Sequence, residues 1–371
     1  MNTTVKIRLL VIETDLARRE VFRICCQNLP DISIESIVPN GALALEKISR
    51  HPADVILLDY AITDISLIEF TRKAVAIHPD IGILLTVPEN DPDAATKAVE
   101  VLAAGCFDFV FKPPANTADG YDILQRRLLP KIRYFSIRRY SRRAQQAPSP
   151  IPQPTPDESI QGANSRLVRQ TAGTPLSNGS PEIILIGVST GGPEALLQIL
   201  PQFPADFSLP VAIVLHMPKL FTRPMAETLS RASRINVSEA FDNQELQPGN
   251  AYLAPGGSHL EIRRETRNRL FTRLSDTLPV NGCRPSVDVL FSSAAEVVKD
   301  QAIAAILTGM GNDGTKGAAR LKEQGAYIIA QDEASSIVWG MPGSVVRNGT
   351  ADQVLPLDMI IPYIVRRIGT R

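Results

Sequence analysis

The sequence predicts an α/β protein with two mostly parallel sheets, one in each half of the chain. Short, β-rich apolar runs alternate with helical patterns from Ile7 onward, and a second alternating series begins at Ile183. A segment poor in large apolar side chains separates the two series. Alternating strands and helices are typical of parallel sheets covered by helices, and 371 residues suffice for two cores.

The first series predicts a doubly wound, flavodoxin-like domain over residues 1–135. We expect strands at 9–12, 54–59, 83–86 and 107–111, with a helix at 16–29. The run ADVILLD is continuously apolar and ends in an acid, as expected for a strand buried on both faces.

The middle of the chain predicts a flexible linker over residues 136–180. Residues 126–143 are rich in arginine and contain no acid, and residues 147–181 are rich in proline, serine, glutamine and threonine. Such a segment buries too little apolar surface to offset its ordering entropy. The second α/β domain then spans residues 181–371, with strands predicted at EIILIGVS, PVAIVLH, AYLAP, AIAAILTG and AYIIAQD.

Charge and cysteine usage exclude some classes of function. Lysine plus arginine and aspartate plus glutamate both number 39, so net charge gives no general attraction to nucleic acid or an anionic membrane. The four cysteines form no CxxC pair, which favours reduced, packed thiols over a zinc site. Without a long apolar segment or a signal-peptide pattern, we expect a cytoplasmic protein.

Three polar residues follow successive predicted strands of the first domain: Asp59, Thr86 and Lys112. Ligands bind at the carboxyl ends of strands in open parallel sheets. An aspartate can accept a phosphoryl group, a lysine can pair with its charge, and a hydroxyl can hydrogen-bond to it. The plainer alternative is three unrelated polar residues at strand ends.

Residues 5–130 resemble the receiver domain of two-component response regulators. The resemblance implies Asp59 as phospho-acceptor, Lys112 as its cationic partner, Thr86 as the switch hydroxyl and a histidine kinase as phosphodonor. It also implies Mg²⁺ held by Glu13 and Asp59, although Thr14 stands where the family has a second acid and Asp15 follows one place later. The alternative is a degenerate receiver that serves only for docking or as a lid.

A serine, a histidine and an aspartate follow three predicted strands of the second domain. Ser189 lies in GVSTGGP between a strand and a helix, His216 in VLHMP, and Asp313 in TGMGNDG. We expect them to meet at one edge of the sheet as nucleophile, base and orienting acid. Alternatively, the glycine-rich turn binds a nucleotide, His216 is a core residue and Asp313 serves turn geometry.

The second domain, over residues 183–368, resembles the catalytic domain of the chemotaxis protein-glutamate methylesterases. The resemblance rests on the ordered segments GVSTGGP, HMP, FTRPMAETL, LQPGNAYLAPGGSHL, RPSVDVLF, LTGMGNDGTKGA and GMPGSVV. It implies Ser189 as nucleophile, His216 as general base and Asp313 as its orienter. It further implies an oxyanion hole at Met310 and Thr190, and His259 is interpreted as structural or close to substrate.

The combined prediction is a serine hydrolase that removes methyl esters from protein glutamates, under control of the receiver-like domain. It needs no cofactor for hydrolysis, and a neutral imidazole with an ordinary pKa suits the base. The resemblance implies glutamine deamidation at the same site. The implied partners are methylated cytoplasmic domains of chemoreceptors, so the protein meets a membrane only through receptors, and no nucleic acid is expected. The alternatives are a non-catalytic signalling adaptor and an esterase uncoupled from phosphorylation.

Overall fold

The N-terminal domain is a five-stranded parallel sheet with strand order β2-β1-β3-β4-β5. The computed structural model describes residues 6–27, 29–112, 125–133, 135–136, 180–266 and 269–369. The elements of this domain are β1 (Ile7–Ile12), α1 (Leu16–Gln27), β2 (Ile32–Val38), α2 (Gly41–Arg50), β3 (Val55–Asp59), α3 (Leu67–Ile77), β4 (Gly82–Val87), α4 (Pro92–Ala103) and β5 (Asp108–Phe111). Residues 125–133 and 135–136 are also helical.

The C-terminal domain is built on a seven-stranded parallel sheet with order β14-β13-β12-β6-β7-β9-β8. Its strands are β6 (Ile183–Val188), β7 (Val211–Leu215), β8 (Asn236–Glu239), β9 (Asn250–Leu253), β12 (Ala302–Ile306), β13 (Tyr327–Gln331) and β14 (Gln353–Leu355). Its helices are α5 (Gly192–Ile199), α6 (Lys219–Ala232), α7 (Val287–Val297), α8 (Thr315–Glu323), α9 (Met341–Arg347) and α10 (Leu357–Gly369).

An antiparallel hairpin, β10 (His259–Thr266) and β11 (Arg269–Ser275), stands apart from this sheet and packs on α7. The predicted α/β fold with mostly parallel sheets is confirmed. The sequence reading missed β2, β8, β14 and the hairpin. Their faces are only partly buried, so their apolar runs are interrupted by polar residues.

The central strands of both sheets are buried along their whole length, as the apolar runs predicted. Parallel strands joined by helices all end at the same edge of a sheet. Residues that directly follow β6, β7 and β12 are therefore brought together at one rim of the C-terminal sheet.

No helix among the described residues is long and apolar enough to cross a bilayer.

The two domains are in contact through aromatic and apolar side chains. The ring of Phe109, on β5, stacks on that of Phe221, on α6, with centroids 4.4 Å apart and planes 6° from parallel. Phe111 meets the same ring edge-on at 5.8 Å. The predicted linker, 136–180, lies outside the described residues except at its two ends, and the domain boundaries stay predictions.

Candidate active site

Ser189 occupies a tight turn between β6 and α5. Its backbone N–H donates to Thr308 O at 3.0 Å, and Gly192 N donates back to Ser189 O at 2.7 Å. Gly191 has a φ of 76°, and a Cβ there would lie 2.7 Å from the Ile337 side chain. Only glycine satisfies both conditions, so the sequence GVSTGGP places a half-buried serine at the rim of the sheet.

His216 lies beside this turn because it follows the neighbouring strand. Val188 pairs with Leu215, and His216 N donates to Val188 O at 3.1 Å. The imidazole contacts the acid that follows β12: His216 Nε2 lies 2.8 Å from Asp313 Oδ2. The structure thus brings two of the three predicted residues into a hydrogen bond across 97 positions of sequence.

The other predicted contact, between Ser189 and His216, is not formed in this arrangement. Among the described residues, the Ser189 hydroxyl makes no hydrogen bond. The second ring nitrogen, His216 Nδ1, instead lies 3.5 Å from Cys283 Sγ. The predicted hydrogen bond between Ser189 and His216 is therefore not formed in this state, in which His216 Nδ1 faces the thiol.

Asp313 is held at the N-terminus of α7 by four further donors. Val287 N donates to Oδ2 at 2.7 Å. Ser286 Oγ, Asn281 Nδ2 and Asp288 N donate to Oδ1 at 2.7, 2.9 and 3.3 Å. A helix N-terminus favours an anion. Burial opposes ionisation, but the bonds from His216 and these donors outweigh it and lower the pKa of Asp313 to about 2.

The pKa of His216 departs from the expected ordinary value. Burial of the ring lowers it, but the hydrogen bonds to Asp313 and Cys283 outweigh burial and raise it to about 9. The pKa of His216 in this state is therefore higher than the ordinary value expected of the base, and it favours the protonated ring at pH 7. The cause is that both ring nitrogens have partners that favour the charged form.

Cys283 is one of the residues of the site that sequence reasoning missed. It was expected to be a packed thiol, yet it is half-buried beside the imidazole, whereas Cys26 and Cys106 are buried. Its place in the segment NGCRPSVD, just before α7, was the available signal.

The ligand atoms of His216, Cys283 and Asp313 lie within 4.8 Å of one another, a spacing that a metal ion could bridge. Both oxygens of Asp313 already accept hydrogen bonds, which fits an acid–base relay.

The residues expected to form the oxyanion hole lie on two loops at the same rim. Thr308 Oγ1 donates to Thr190 O at 2.9 Å and so ties the two loops together. Gly309 lies against the serine, since a Cβ there would be 2.9 Å from Ser189 Cβ. Among the described residues, the backbone N–H groups of Thr190 and Met310 donate to no protein acceptor. Both are therefore free to bind an oxyanion.

His259 supports the loop that carries Cys283. Its ring is fully buried, Ser286 N donates to His259 Nδ1 at 3.2 Å, and His259 Nε2 lies 3.2 Å from Leu278 O. Both ring nitrogens are thus used within the fold, which agrees with the structural interpretation of this residue.

The predicted receiver residues meet around Asp59. Lys112 forms an ion pair with Asp59 Oδ1, and Ala61 N donates to the same oxygen at 2.7 Å. Thr14 donates to Asp59 Oδ2 through its backbone N–H at 2.9 Å and its hydroxyl at 2.7 Å. Burial raises the pKa of Asp59, but these donors outweigh it and bring it to about 2. Thr86 pairs with Asp59 on the neighbouring strand, and its hydroxyl donates to Leu58 O at 3.3 Å.

Glu13 is the residue of this site best suited to a cation. It is fully buried, and its Oε2 has no hydrogen-bond partner, while Oε1 lies 3.5 Å from Lys112 Nζ. Burial and the charge of Asp59 raise the pKa of Glu13 to about 7. Asp15, which follows Thr14, accepts from the backbone N–H of Arg18 at 2.9 Å through Oδ1, and its Oδ2 lies 3.8 Å from the Arg18 guanidinium. An orphaned carboxylate oxygen beside Asp59 fits a hard divalent cation.

Comparison with known proteins gives consistent matches. Residues 184–364 match the family described as CheB methylesterase. A protein-glutamate methylesterase/protein-glutamine glutaminase from Trichodesmium erythraeum is 34% identical over 98% of this chain and 99% of that protein. A protein of the same name from Nocardioides sp. is 38% identical over 98% and 96%. The solved Thermotoga maritima CheB methylesterase catalytic domain is 42% identical, covering 52% of this chain and 100% of that one, with a TM-score of 0.49.

Proposed function

The chain belongs to the CheB methylesterase family, and we propose that it hydrolyses glutamate methyl esters on proteins, with Ser189 as nucleophile. The observation that carries this proposal is the 2.8 Å bond between His216 and Asp313 beside the glycine-rich turn that carries Ser189. A hydroxyl, an imidazole and a buried carboxylate at one sheet edge form the minimal relay for acyl transfer.

The reaction starts when His216 Nδ1 is unprotonated and the imidazole ring has moved so that Nδ1 faces the Ser189 hydroxyl instead of Cys283. Ser189 Oγ then attacks the ester carbonyl and passes its proton to the imidazole. The oxyanion is stabilised by the free N–H groups of Thr190 and Met310, each contributing on the order of 3 kcal/mol. The imidazolium protonates the leaving methoxide, and methanol departs. Water, activated by the same imidazole, hydrolyses the acyl-enzyme to glutamate.

Asp313 keeps the ring oriented throughout, and its charge stabilises the imidazolium that forms. The same sequence of steps hydrolyses a glutamine side chain, with ammonia in place of methanol. We propose that the substrates are methylated glutamates and glutamines in the cytoplasmic domains of chemoreceptors. The names of the relatives, protein-glutamate methylesterase/protein-glutamine glutaminase, support the two side-chain types.

The N-terminal domain is proposed to regulate this site through Asp59 phosphorylation by a histidine kinase. It contacts both sides of the site: Phe109 stacks on Phe221, five residues after His216. On the serine side, Ile337 packs within one buried apolar cluster that includes Leu128 of the N-terminal domain. Glu13 and Asp59 would hold a Mg²⁺ ion, which would supply positive charge for phosphoryl transfer. The alternative is a degenerate receiver that serves only for docking or as a lid, without phosphorylation of Asp59.

The decisive experiment measures methanol release from a methylated chemoreceptor domain, with and without a small-molecule phosphodonor. We expect release that increases with the phosphodonor, and ammonia release from the glutamine form. Absence of both products would leave the non-catalytic adaptor, whereas release that ignores the phosphodonor would favour an uncoupled esterase.

A further inference from the structure

A second buried carboxylate lies beside Asp313. Asp288, in the first turn of α7, is 5% exposed, and Asp313 is 3% exposed. The side-chain nitrogen of Asn281 donates to Asp288 Oδ2 at 2.8 Å and to Asp313 Oδ1 at 2.9 Å. One amide nitrogen therefore joins two acids, only one of which belongs to the relay.

We propose that Asn281 is a positioning residue, whose amide holds Asp288 and Asp313 apart and charged so that Asp313 can orient His216. The proposal rests on the proposed function, because it assigns a role within the same relay. An asparagine NH₂ group has two hydrogens, one for each carboxylate.

The need for such a group follows from electrostatics. Like charges in a low-dielectric interior repel, and one of them tends to take up a proton. Burial raises the pKa of Asp288, the Gly317 N–H opposes this, and the charge of Asp313 raises it further. If the proton went to Asp313 instead, the acid would lose the charge that holds the imidazolium.

Neither carboxylate can simply move away. Asp288 Oδ1 accepts from Gly317 N at 2.7 Å, which ties it to α8. Among the described residues, no lysine or arginine forms a salt bridge with either acid, and His216 is the one cationic partner of Asp313. Neutral donors must therefore stabilise the pair, and Asn281 is the donor that reaches both.

The backbone presents the amide at the required place. Asn281 has a φ of 53°, and Gly282 follows at 75°. Asparagine is among the few residues that tolerate this left-handed conformation. Alanine at this position combines loss of the amide with backbone strain, so a control must carry the same strain elsewhere.

The test compares Asn281→Ala, Asp288→Asn and their combination, with Asn243→Ala as control. Asn243 has a similar φ of 61° and lies outside the relay. We expect Asn281→Ala to lower kcat about tenfold, the effect of one hydrogen bond to a charged group, with KM within about twofold. Asn243→Ala should keep wild-type kcat. Adding Asp288→Asn to Asn281→Ala should raise kcat several-fold above that of Asn281→Ala alone, because it removes the repelling charge.

A readout independent of turnover is the NMR resonance of the His216 Nε2 proton. This resonance should broaden in Asn281→Ala and regain its wild-type line width in the double variant. An unchanged kcat and resonance in Asn281→Ala, or a double variant no better than the single one, would overturn the inference. A wild-type protein that releases no methanol would overturn the proposed function, and a wild-type enzyme with an unaffected Asn281→Ala variant would overturn this inference alone.

Discussion

Cys283 Sγ lies 3.5 Å from His216 Nδ1, so the nitrogen that must accept the proton of Ser189 already faces a thiol. The opposite nitrogen is fixed on Asp313 at 2.8 Å. The imidazole is thereby oriented by Asp313, but its second nitrogen faces Cys283 and not Ser189. We interpret this arrangement as a resting state of the site. The proposed reaction therefore requires that His216 lose a proton and that Nδ1 change its partner from Cys283 to Ser189.

Replacing the nucleophile should abolish turnover without unfolding the domain. In Ser189→Ala we expect methanol release to fall at least about a thousandfold, since residues of a relay act as a unit. The thermal midpoint should stay near that of the wild type because the hydroxyl makes no hydrogen bond among the described residues. Ser208, which is exposed, gives the matched control Ser208→Ala. Full activity in Ser189→Ala would refute the assignment.

The pH dependence of hydrolysis should reflect the raised pKa of His216, about 9. The base works only when neutral, so below this pKa kcat/KM should rise about tenfold per pH unit. Because Cys283 is one cause of the raised pKa, Cys283→Ala should move the rising limb to lower pH. Profiles of kcat/KM between pH 6 and 10 measure both effects. A profile with the same inflection in the two proteins would show that the thiol does not influence the base.

Asp313→Asn should impair both catalysis and stability. The amide cannot hold the imidazole tautomer or balance its charge, so kcat should fall by about 10²–10⁴. Its NH₂ group also faces donors such as Val287 N and Ser286 Oγ, which lie 2.7 Å from the carboxylate. We expect the free energy of unfolding, measured in urea, to fall by about 1–3 kcal/mol. A stable variant with wild-type kcat would contradict both statements.

Phosphorylation control should depend on Asp59. In Asp59→Ala the phosphodonor should no longer increase methanol release, while the basal rate persists. Asp80, an acid of the same domain outside the site around Asp59, provides the control Asp80→Ala, which should still respond. A phosphodonor response that survives in Asp59→Ala would mean that another residue accepts the phosphoryl group.

The stack between the domains should restrain the unphosphorylated enzyme. Phe109→Leu keeps an apolar side chain but loses the stack on Phe221, so basal methanol release should rise several-fold. Phe107 stacks on Phe135 within the N-terminal domain, at 4.6 Å, and Phe107→Leu is the matched control. Equal basal rates in the two variants would argue against restraint through this contact.

The sequence by itself determined which residues follow the strands, and therefore which could meet. Continuous apolar runs marked the central strands, and parallel strands end at one edge, so Ser189, His216 and Asp313 had to lie at the same rim. The same argument placed Asp59 near Lys112. Partly buried strands such as β2 and β14 carried no clear period and were missed.

Only the tertiary structure decided how each of these groups is partnered. Cys283, Asn281 and Asp288 come from the segment before and at the start of α7, and no pattern shows that it packs against the loop of Asp313. That packing raises the pKa of the imidazole and places a thiol at its second nitrogen. Hydrogen bonds and burial depend on distances across the fold, and local sequence does not encode these.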